Sequence, residues 1–440
     1  MVEFSICYAL LVFVIVSLIA YFFKTGFWRR HFLFFMYFLS FSVLNVAGMY
    51  SLFFSIYISV PDVISPGRAL IGFYLIYISF ICFLPLYLWS DSRQGRIEMV
   101  GKINFWKPER GGLLTVSLLW LVVFFIVVGN TLRGGQYPLV LILKGYEPLS
   151  ANVIHTLRTE HGFIDFHWFN IGFYYLPIFL TAYTFILKLM KYNGIYTIVF
   201  IVSLFLSIIL SILFLFKGQI LWLFITLVIA KVLAEGRIKS STIAIFAIAI
   251  ITVVVFYKIY YPVAEPLDIL RMLVHRILEA YTMNSGVAFG VFPDLIPFYG
   301  GVTISNPGSL LPYEHVNLSS VIFYYLYGGV GGAPVPHAVE GYVNFGYIGL
   351  VLFAVFAQYC VFVLDILINS MRRDAFTVAL CVFGTIWVMM IAMNSIFYGL
   401  LDLTVITTFL ILLVVGRGVV PALCDIGRKR VPWIGERIKV

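Results

Sequence analysis

The sequence predicts an all-α integral membrane protein that crosses the bilayer about eleven times. Apolar residues make up 62% of the 440 residues, charged residues make up only 11%, and the mean hydropathy is +1.03. So little charge cannot cover the surface of a water-soluble protein of this length. A soluble multidomain protein, a disordered chain and a nucleic-acid-binding module are therefore excluded as descriptions of the whole chain.

Eleven apolar runs have about the length that a transmembrane helix needs, and we expect residues 1–440 to form a single polytopic membrane domain. The first run lacks the pattern of a cleavable signal peptide, because the acidic residue Glu3 precedes it and no basic segment precedes it. The seventh run is short enough to be tilted or partly re-entrant. The runs cover residues 4–23, 32–57, 69–90, 113–130, 166–187, 195–216, 219–235, 241–260, 348–369, 375–396 and 400–416.

The basic residues predict the orientation of these spans. Most of the 29 lysines and arginines follow the odd-numbered runs or lie in the C-terminal tail. Because basic loops stay in the cytoplasm, this alternation predicts an outer N-terminus and a cytoplasmic C-terminus. The net charge of +9 then reflects membrane orientation rather than a nucleic-acid-binding surface.

Two long segments fall on the outer side in this orientation. They are a first outer loop at residues 131–165 and a large outer segment at 261–347, and most of the seven histidines lie in or beside them. The larger segment is too long for a simple connection. Its Gly and Pro clusters between residues 284 and 336 oppose a long helix, and we expect it to pack on the outer face and border a wet cavity.

The large segment begins with an amphipathic helix at residues 267–280. Arg271 and Arg276 lie on its polar side. The helix either rests at the membrane interface with its charges paired among themselves, or directs a basic face at a phosphorylated lipid headgroup. Lys217, in the turn before the seventh run, either extends to the membrane surface or contacts a diphosphate as a point charge.

The same segment ends in a polar helix face before the ninth run. Pro336 suits the first position of a helix, and His337, Glu340 and Asn344 then follow at spacings that put them on one face. Histidine and glutamate at such a place can act as acid–base groups or bind hydroxyls. The alternative is a polar face that water wets where the helix starts.

Several chemical signatures are absent from the sequence. It contains no G-x-x-x-x-G-K-[ST] phosphate loop, no D-x-D pair and no H-E-x-x-H motif. Its five cysteines form no C-x-x-C pair. The sequence therefore predicts neither a metal nor a nucleotide cofactor.

Three stretches resemble the Wzy-type polysaccharide polymerases, the family that polymerises O-antigen or oligosaccharide repeat units. They are EGYVNFGYIG at 340–349, FKGQ at 216–219 and Arg158 within HTLRTEHG. The number of spans and the two outer segments are also similar to this family. Lys217 departs from the pattern, since many relatives carry arginine there.

The resemblance implies a fold, a location and a reaction. The fold is a GT-C-like helical membrane glycosyltransferase in the bacterial cytoplasmic (inner) membrane. The reaction transfers a growing glycan from undecaprenyl diphosphate to an incoming repeat unit at the outer face, without metal, nucleotide or other cofactor. The implied partners are the undecaprenyl-diphosphate-linked oligosaccharide, membrane lipids and a chain-length regulator protein.

The resemblance and the residue types together suggest roles for the candidate residues. Cationic side chains would stabilise the charge that develops on the leaving diphosphate. Glu340 and His337 would act on the acceptor hydroxyl as catalytic groups, with Asn344 beside them as a binding residue. The cationic candidates are Arg271, Arg276, Arg158 and Lys217.

Three other functions stay open at this level. An O-antigen ligase uses the same donor with a different acceptor. A transporter or flippase of the lipid-linked sugar commonly shows internal repeats and polar groups at mid-membrane, which are not apparent in this sequence. A non-catalytic membrane scaffold would not require basic residues on the outer side.

Overall fold

The computed structural model is built of helices and connecting loops, with no strand in the residues it describes. These residues are 2–49, 64–94, 111–133, 137, 139–140, 170–190, 194–214, 217–237, 239–260, 265–304, 312–329, 331–395 and 402–420. Most of the predicted loop at 131–165, including Arg158, lies outside them.

Seven helices in the described residues are long and apolar enough to cross a membrane, and each overlaps a predicted run. Shorter apolar helices occupy the other predicted runs. The prediction of a helical membrane protein is therefore confirmed, whereas the count of eleven spans stays a prediction. The seven are Glu3–Lys24, Pro66–Asp91, Gly112–Leu132, Ile171–Met190, Gly194–Leu213, Gly218–Glu235 and His337–Ser370.

The helices are numbered here in chain order. They are α1 (Val2–Lys24), α2 (Phe27–Arg30), α3 (Phe32–Phe41), α4 (Pro66–Gln94), α5 (Gly112–Leu132), α6 (Leu176–Met190), α7 (Gly194–Leu213), α8 (Lys217–Glu235), α9 (Ser240–Tyr260), α10 (Pro266–Leu278), α11 (Ala280–Val291), α12 (Leu318–Tyr327), α13 (His337–Ser370), α14 (Ala375–Ile391) and α15 (Leu403–Leu413). Short π-helical turns follow α3 at Ser42–Val46, precede α6 at Ile171–Tyr175 and follow α15 at Val414–Val419.

The chain divides into two compact units. The first unit comprises residues 1–99, 267–370 and 384–402, and the second comprises residues 100–266, 371–383 and 403–440. In the second unit, α6 is the central helix, because every side chain from Leu176 to Leu187 is buried. A hydrogen bond of 3.0 Å between the Thr181 and Ser207 hydroxyls joins α6 to α7.

The core of the first unit is rich in aromatic rings. The rings of Phe34 and Phe38 in α3 pack against those of Phe80 and Tyr87 in α4 or Phe22 in α1, at edge-on or tilted angles. Such pairs contribute about 0.5–1.5 kcal/mol each beyond the burial of their area. They account for the dense phenylalanine content of the second predicted run.

A largely buried cluster of charged and polar side chains joins the α2–α3 junction, α4 and α13 at one end of the first unit. The His31 Nδ1 atom lies 2.9 Å from Asp365 Oδ2, and its Nε2 atom lies 3.0 Å from Asp91 Oδ1. The Arg30 guanidinium contacts the other Asp91 oxygen at 2.9 Å. Each carboxylate thus has a facing donor, which is what makes buried charges tolerable in an apolar surrounding.

The helix α13 is broken near its N-terminal end. Phe345 has φ −139° and ψ 18°, and Gly346 has φ 66° and ψ −156°, so residues 337–344 form a separate short segment. The two segments approach closely across the break: a Cβ on Gly341 would lie 2.3 Å from the Gly349 carbonyl oxygen. Only glycine fits at that contact. The break falls between the polar helix face at 337–344 and the ninth predicted run at 348–369.

We predict that Gly346→Ala destabilises the protein by about 1–3 kcal/mol, because the backbone region that Gly346 adopts is essentially restricted to glycine. The space itself is adequate, since an added Cβ would meet only the Phe298 ring at 3.4 Å. Thermal unfolding of the purified protein in detergent measures the effect. Gly194→Ala at the start of α7 is the control, because nothing lies within 4 Å of its Cβ position. Equal unfolding temperatures for the two variants would contradict the prediction.

Candidate functional site

At the break in α13, two backbone carbonyls lie outside the regular helical hydrogen bonding. A neighbouring loop donates hydrogen bonds to them. The Tyr299 and Gly300 amides donate to the Val343 and Asn344 carbonyl oxygens at 3.1 and 3.0 Å. Gly300 and Gly301 have positive φ angles of 61° and 109°, which lets the loop turn sharply there. The loop at residues 299–304 is thus fixed directly against the short segment 337–344.

Asn344 connects this loop to Glu340. Its Oδ1 accepts from the Gly301 amide at 2.9 Å, and its Nδ2 donates to the Thr303 hydroxyl at 2.6 Å and to the Glu340 carbonyl at 2.9 Å. The Thr303 hydroxyl in turn donates to Glu340 Oε1 at 3.4 Å. Asn344 and Thr303 are therefore in position to orient the Glu340 carboxylate, which is 1% exposed.

A cavity of about 410 Å³ lies in the first unit, and Glu340 lines it. The other described residues that line it lie in the loop at 303, at and just before the start of α12, at 334–335 and just after α14. The size is within the range of small-molecule sites. The polar lining residues besides Glu340 are Thr303, His315, Asn317, Ser319, Asn394 and Ser395.

His337 and Asn45 hold the wall of this cavity that follows α14. The His337 Nδ1 atom donates to the Ile391 carbonyl oxygen at 3.0 Å, and Asn45 Nδ2 donates to the Ala392 carbonyl oxygen at 3.0 Å. Both carbonyls lie at the C-terminal end of α14, where no amide of a following helical turn is available to donate to them. The chain then reaches the lining residues Asn394 and Ser395.

Both ring nitrogens of His337 have hydrogen-bond partners. The Tyr37 hydroxyl lies 2.8 Å from its Nε2 atom, while Nδ1 faces Ile391, and the side chain is completely buried. The helical segment does carry His337, Glu340 and Asn344 together, as its spacing indicates. Of the three, the structure presents Glu340 to the cavity, whereas His337 and Asn344 support the cavity from behind.

The cationic candidates lie elsewhere. Arg271 is 72% exposed in its side chain and pairs with Asp268 at 3.3 Å. Arg276 is exposed and makes no hydrogen bond or ion pair with another described residue. Neither lines the cavity. Lys217 is the first residue of α8, but its side chain, like all of Arg158, is outside the described part of the chain.

The pairing on α10 agrees with one of the two alternatives for that helix. His275 contacts Glu279, and Asp268 contacts Arg271, so most charges pair within the helix and its end. Most of its large apolar side chains are exposed, and Ile269 alone among its residues is buried. These features are typical of a helix that lies at a membrane interface.

Sequence reasoning missed several residues of the cavity. Thr303, Asn394 and Ser395 belong to no motif, and His315 was one of several outer histidines. The double glycine at 300–301, two residues before Thr303, was the signal of a sharp turn.

The chemistry of the lining indicates the kind of ligand. It combines one carboxylate, one imidazole, amides and hydroxyls, and no lysine or arginine is among the described lining residues. Such groups donate and accept hydrogen bonds with hydroxyls. Among the described residues no cluster of three His, Cys, Asp or Glu side chains is arranged to hold a metal ion.

We predict that Thr303→Val lowers the stability of the protein, whereas Thr303→Ser does not. Valine removes the hydroxyl that links Asn344 Nδ2 to Glu340 and leaves buried polar atoms without this partner, at a cost of about 1–3 kcal/mol. Serine keeps the hydroxyl. The unfolding temperatures of both variants in detergent decide this, and an equal loss in both would show that packing of the threonine methyl matters instead.

Comparisons with protein families, with curated proteins and with solved structures find no match for this chain.

Proposed function

We propose that this protein polymerises lipid-linked oligosaccharide repeat units, as a membrane glycosyltransferase at the outer face of the bacterial inner membrane. The transferred glycan leaves undecaprenyl diphosphate and joins a hydroxyl of the incoming repeat unit. The observation that carries the proposal is the cavity beside Glu340, a small polar site in a chain built mainly of apolar, membrane-length helices.

The lining of the cavity suits the binding of the sugar that accepts the transferred glycan. A sugar acceptor is neutral and rich in hydroxyls, and the described lining supplies amide and hydroxyl groups beside a single carboxylate. Glu340 accepts a hydrogen bond from the acceptor in this scheme, and Thr303 and Asn344 keep its carboxylate oriented. Fixed geometry of this kind raises reaction rates by holding the reacting groups together.

The donor half requires cationic groups, because charge develops on the diphosphate oxygens as it leaves. The described lining of the cavity contains no lysine or arginine. We therefore propose that the diphosphate lies outside this cavity, and Arg271, Arg276, Arg158 and Lys217 stay the candidates to contact it. The apolar helices would accommodate the polyprenyl chain.

The glycan of a strain that lacks this protein tests the function. Under the proposal, the strain attaches single repeat units to its surface glycolipid and makes no polymer. An uncapped core with accumulated lipid-linked polymer would indicate a ligase instead. Absence of repeat units from the outer face of the membrane would indicate a transporter.

We predict that Glu340→Gln abolishes or severely shortens the polymer, because it keeps the size of the side chain and removes its charge. A loss of about 10²–10⁴-fold in the transfer rate is typical for a group that acts on the reacting hydroxyl. Polymer length is measured by gel electrophoresis in the deletion strain at matched expression.

Glu314→Gln is the matched control for this prediction. Glu314 is exposed, lies in the same large segment and is not among the lining residues. It should give polymer of normal length. Normal polymer from Glu340→Gln as well would remove Glu340 from the reaction.

A further inference from the structure

The helix α12 begins at the cavity and exposes one of its faces. Asn317, the N-cap of α12, and Ser319 in its first turn are both among the residues that line the cavity. Counted from Asn317, the exposed residues of α12 follow at i+3, i+7 and i+10, which is the spacing of one helix face. These residues, Ser320, Tyr324 and Tyr327, form the tyrosine face of α12. The face leads away from the cavity for about 15 Å.

The other side of α12 holds the helix in place. Leu318 and Ile322 are buried in the first unit. The Ala333 amide donates to the Ser319 carbonyl oxygen at 3.0 Å. The helix ends at Gly328, which has a positive φ of 66°. The tyrosine face therefore belongs to a helix that is anchored on its opposite side.

The two tyrosine rings are supported by neighbouring rings and are still accessible. The ring centroids of Tyr324 and Tyr325 lie 5.8 Å apart, and those of Tyr327 and Phe323 lie 4.8 Å apart. Tyr324 is nevertheless 63% exposed and Tyr327 58% exposed. Neither hydroxyl forms a hydrogen bond with another described residue. Both rings and both hydroxyls are thus available to a ligand.

The composition of this face differs from that of the helix faces that suit lipid. Aliphatic side chains are exposed on α10, at Leu267, Leu270 and Val274, and on α13, at Ile348 and Leu352. In contrast, every exposed residue of α12 carries a hydroxyl group, and α12 contains no charged residue. Aromatic rings with hydroxyl groups suit a ligand that is partly apolar and partly wet. A neutral sugar, with its C–H faces and its hydroxyls, is such a ligand.

The size of the cavity gives the face a relation to the proposed substrate. A volume of about 410 Å³ lies near the lower end of the range for small-molecule sites. A whole oligosaccharide does not fit into it. When one end of a repeat unit enters the cavity, the other sugars continue outside, and the tyrosine face starts directly at the lining residue Asn317.

We propose that the tyrosine face of α12 binds the sugars of the repeat unit that extend out of the cavity, an assignment that rests on the proposed glycosyl transfer. The C–H faces of these sugars stack on the rings of Tyr324 and Tyr327. The tyrosine hydroxyls and the Ser320 hydroxyl form hydrogen bonds with sugar hydroxyls. The bound class is a neutral oligosaccharide, and the competing occupant is the membrane interface, where tyrosines are also common.

Hydroxyl-radical footprinting of the unaltered protein in lipid nanodiscs separates these two occupants. The probe is the water-soluble oligosaccharide that mild acid releases from the lipid-linked material of the deletion strain. We expect Tyr324 and Tyr327 to be oxidised in the free protein and protected by the oligosaccharide. Tyr359, an exposed tyrosine of α13, should not respond to it. Tyrosines of α12 that stay unoxidised in the bilayer, or that the oligosaccharide does not protect, would overturn the proposal.

Substitutions on α12 measure the contribution of the rings to affinity. The double variant Tyr324→Ala, Tyr327→Ala should bind the oligosaccharide more weakly by about 2–10-fold for each ring, as for the loss of an aromatic contact. Phenylalanine at both positions keeps the rings and should retain most of the affinity. Tyr359→Ala is the matched control and should bind like the wild type. Isothermal titration calorimetry in detergent gives the affinities, and unfolding temperatures check that these exposed substitutions leave the fold intact.

The outcomes distinguish this proposal from the proposed function. A protein that makes polymer, but whose double alanine variant binds the oligosaccharide with unchanged affinity, would overturn the tyrosine face and leave the polymerase standing. A protein that binds the oligosaccharide through these tyrosines, but transfers no glycan from lipid-linked repeat units, would overturn the polymerase and leave the binding face standing.

Discussion

The break in α13 is the constraint on which the candidate site depends. Non-helical backbone in a membrane-length helix is tolerated only where protein covers it or where it lines a wet cavity. In the first unit both conditions occur together, because the loop at 299–304 caps the carbonyls of residues 343 and 344. The same loop carries Thr303 to Glu340. The backbone geometry at Gly346 and the polar cavity are thus parts of one arrangement.

The charges of α13 lie at opposite ends of the helix. Asp365 is held by His31 at one end, and Glu340 lies before the break at the other. At about 1.5 Å per step, the helix from residue 347 to residue 365 extends about 27 Å, close to the hydrocarbon thickness of a bilayer. Between them, the buried Gln358 donates to Ser79 at 2.6 Å. The ion pairs and the cavity thus lie at opposite ends of one membrane-length helix.

Much of the fold follows from local sequence, because apolar runs of spanning length have few alternatives to membrane helices. Each of the seven long apolar helices was predicted on that ground. The position of Glu340 and Asn344 on one short helical segment also followed, since Pro336 and helical spacing are local signals. The break at 345–346 lies between that segment and the ninth predicted run, at the glycine of the sequence Asn344-Phe345-Gly346.

The partners of the site residues could not be predicted, because they come from distant parts of the chain. Tyr37 and His337 are 300 residues apart in the sequence. Nothing in either local pattern indicates that the Tyr37 hydroxyl forms a hydrogen bond with the His337 ring. The contact of the His315 Nδ1 atom with the Ile304 carbonyl oxygen is likewise not visible in the sequence. Sequence patterns identify side chains that can do chemistry, but tertiary hydrogen bonds decide which of them are free to do it.

The charge of the cavity constrains how the two substrates can be arranged. Glu340 with an imidazole suits a neutral hydroxyl, whereas a diphosphate placed against the same carboxylate would be repelled, by about 4 kcal/mol for two unit charges 4 Å apart near a protein surface. On the proposed function, the anomeric carbon must therefore reach the cavity mouth while its diphosphate stays with cations beyond the described lining. This separation places the attacking hydroxyl and the leaving group on opposite sides of the reacting carbon. A direct displacement with inversion at that carbon needs the attacking hydroxyl and the leaving group on opposite sides, so a described lining without arginine or lysine is consistent with an acceptor site.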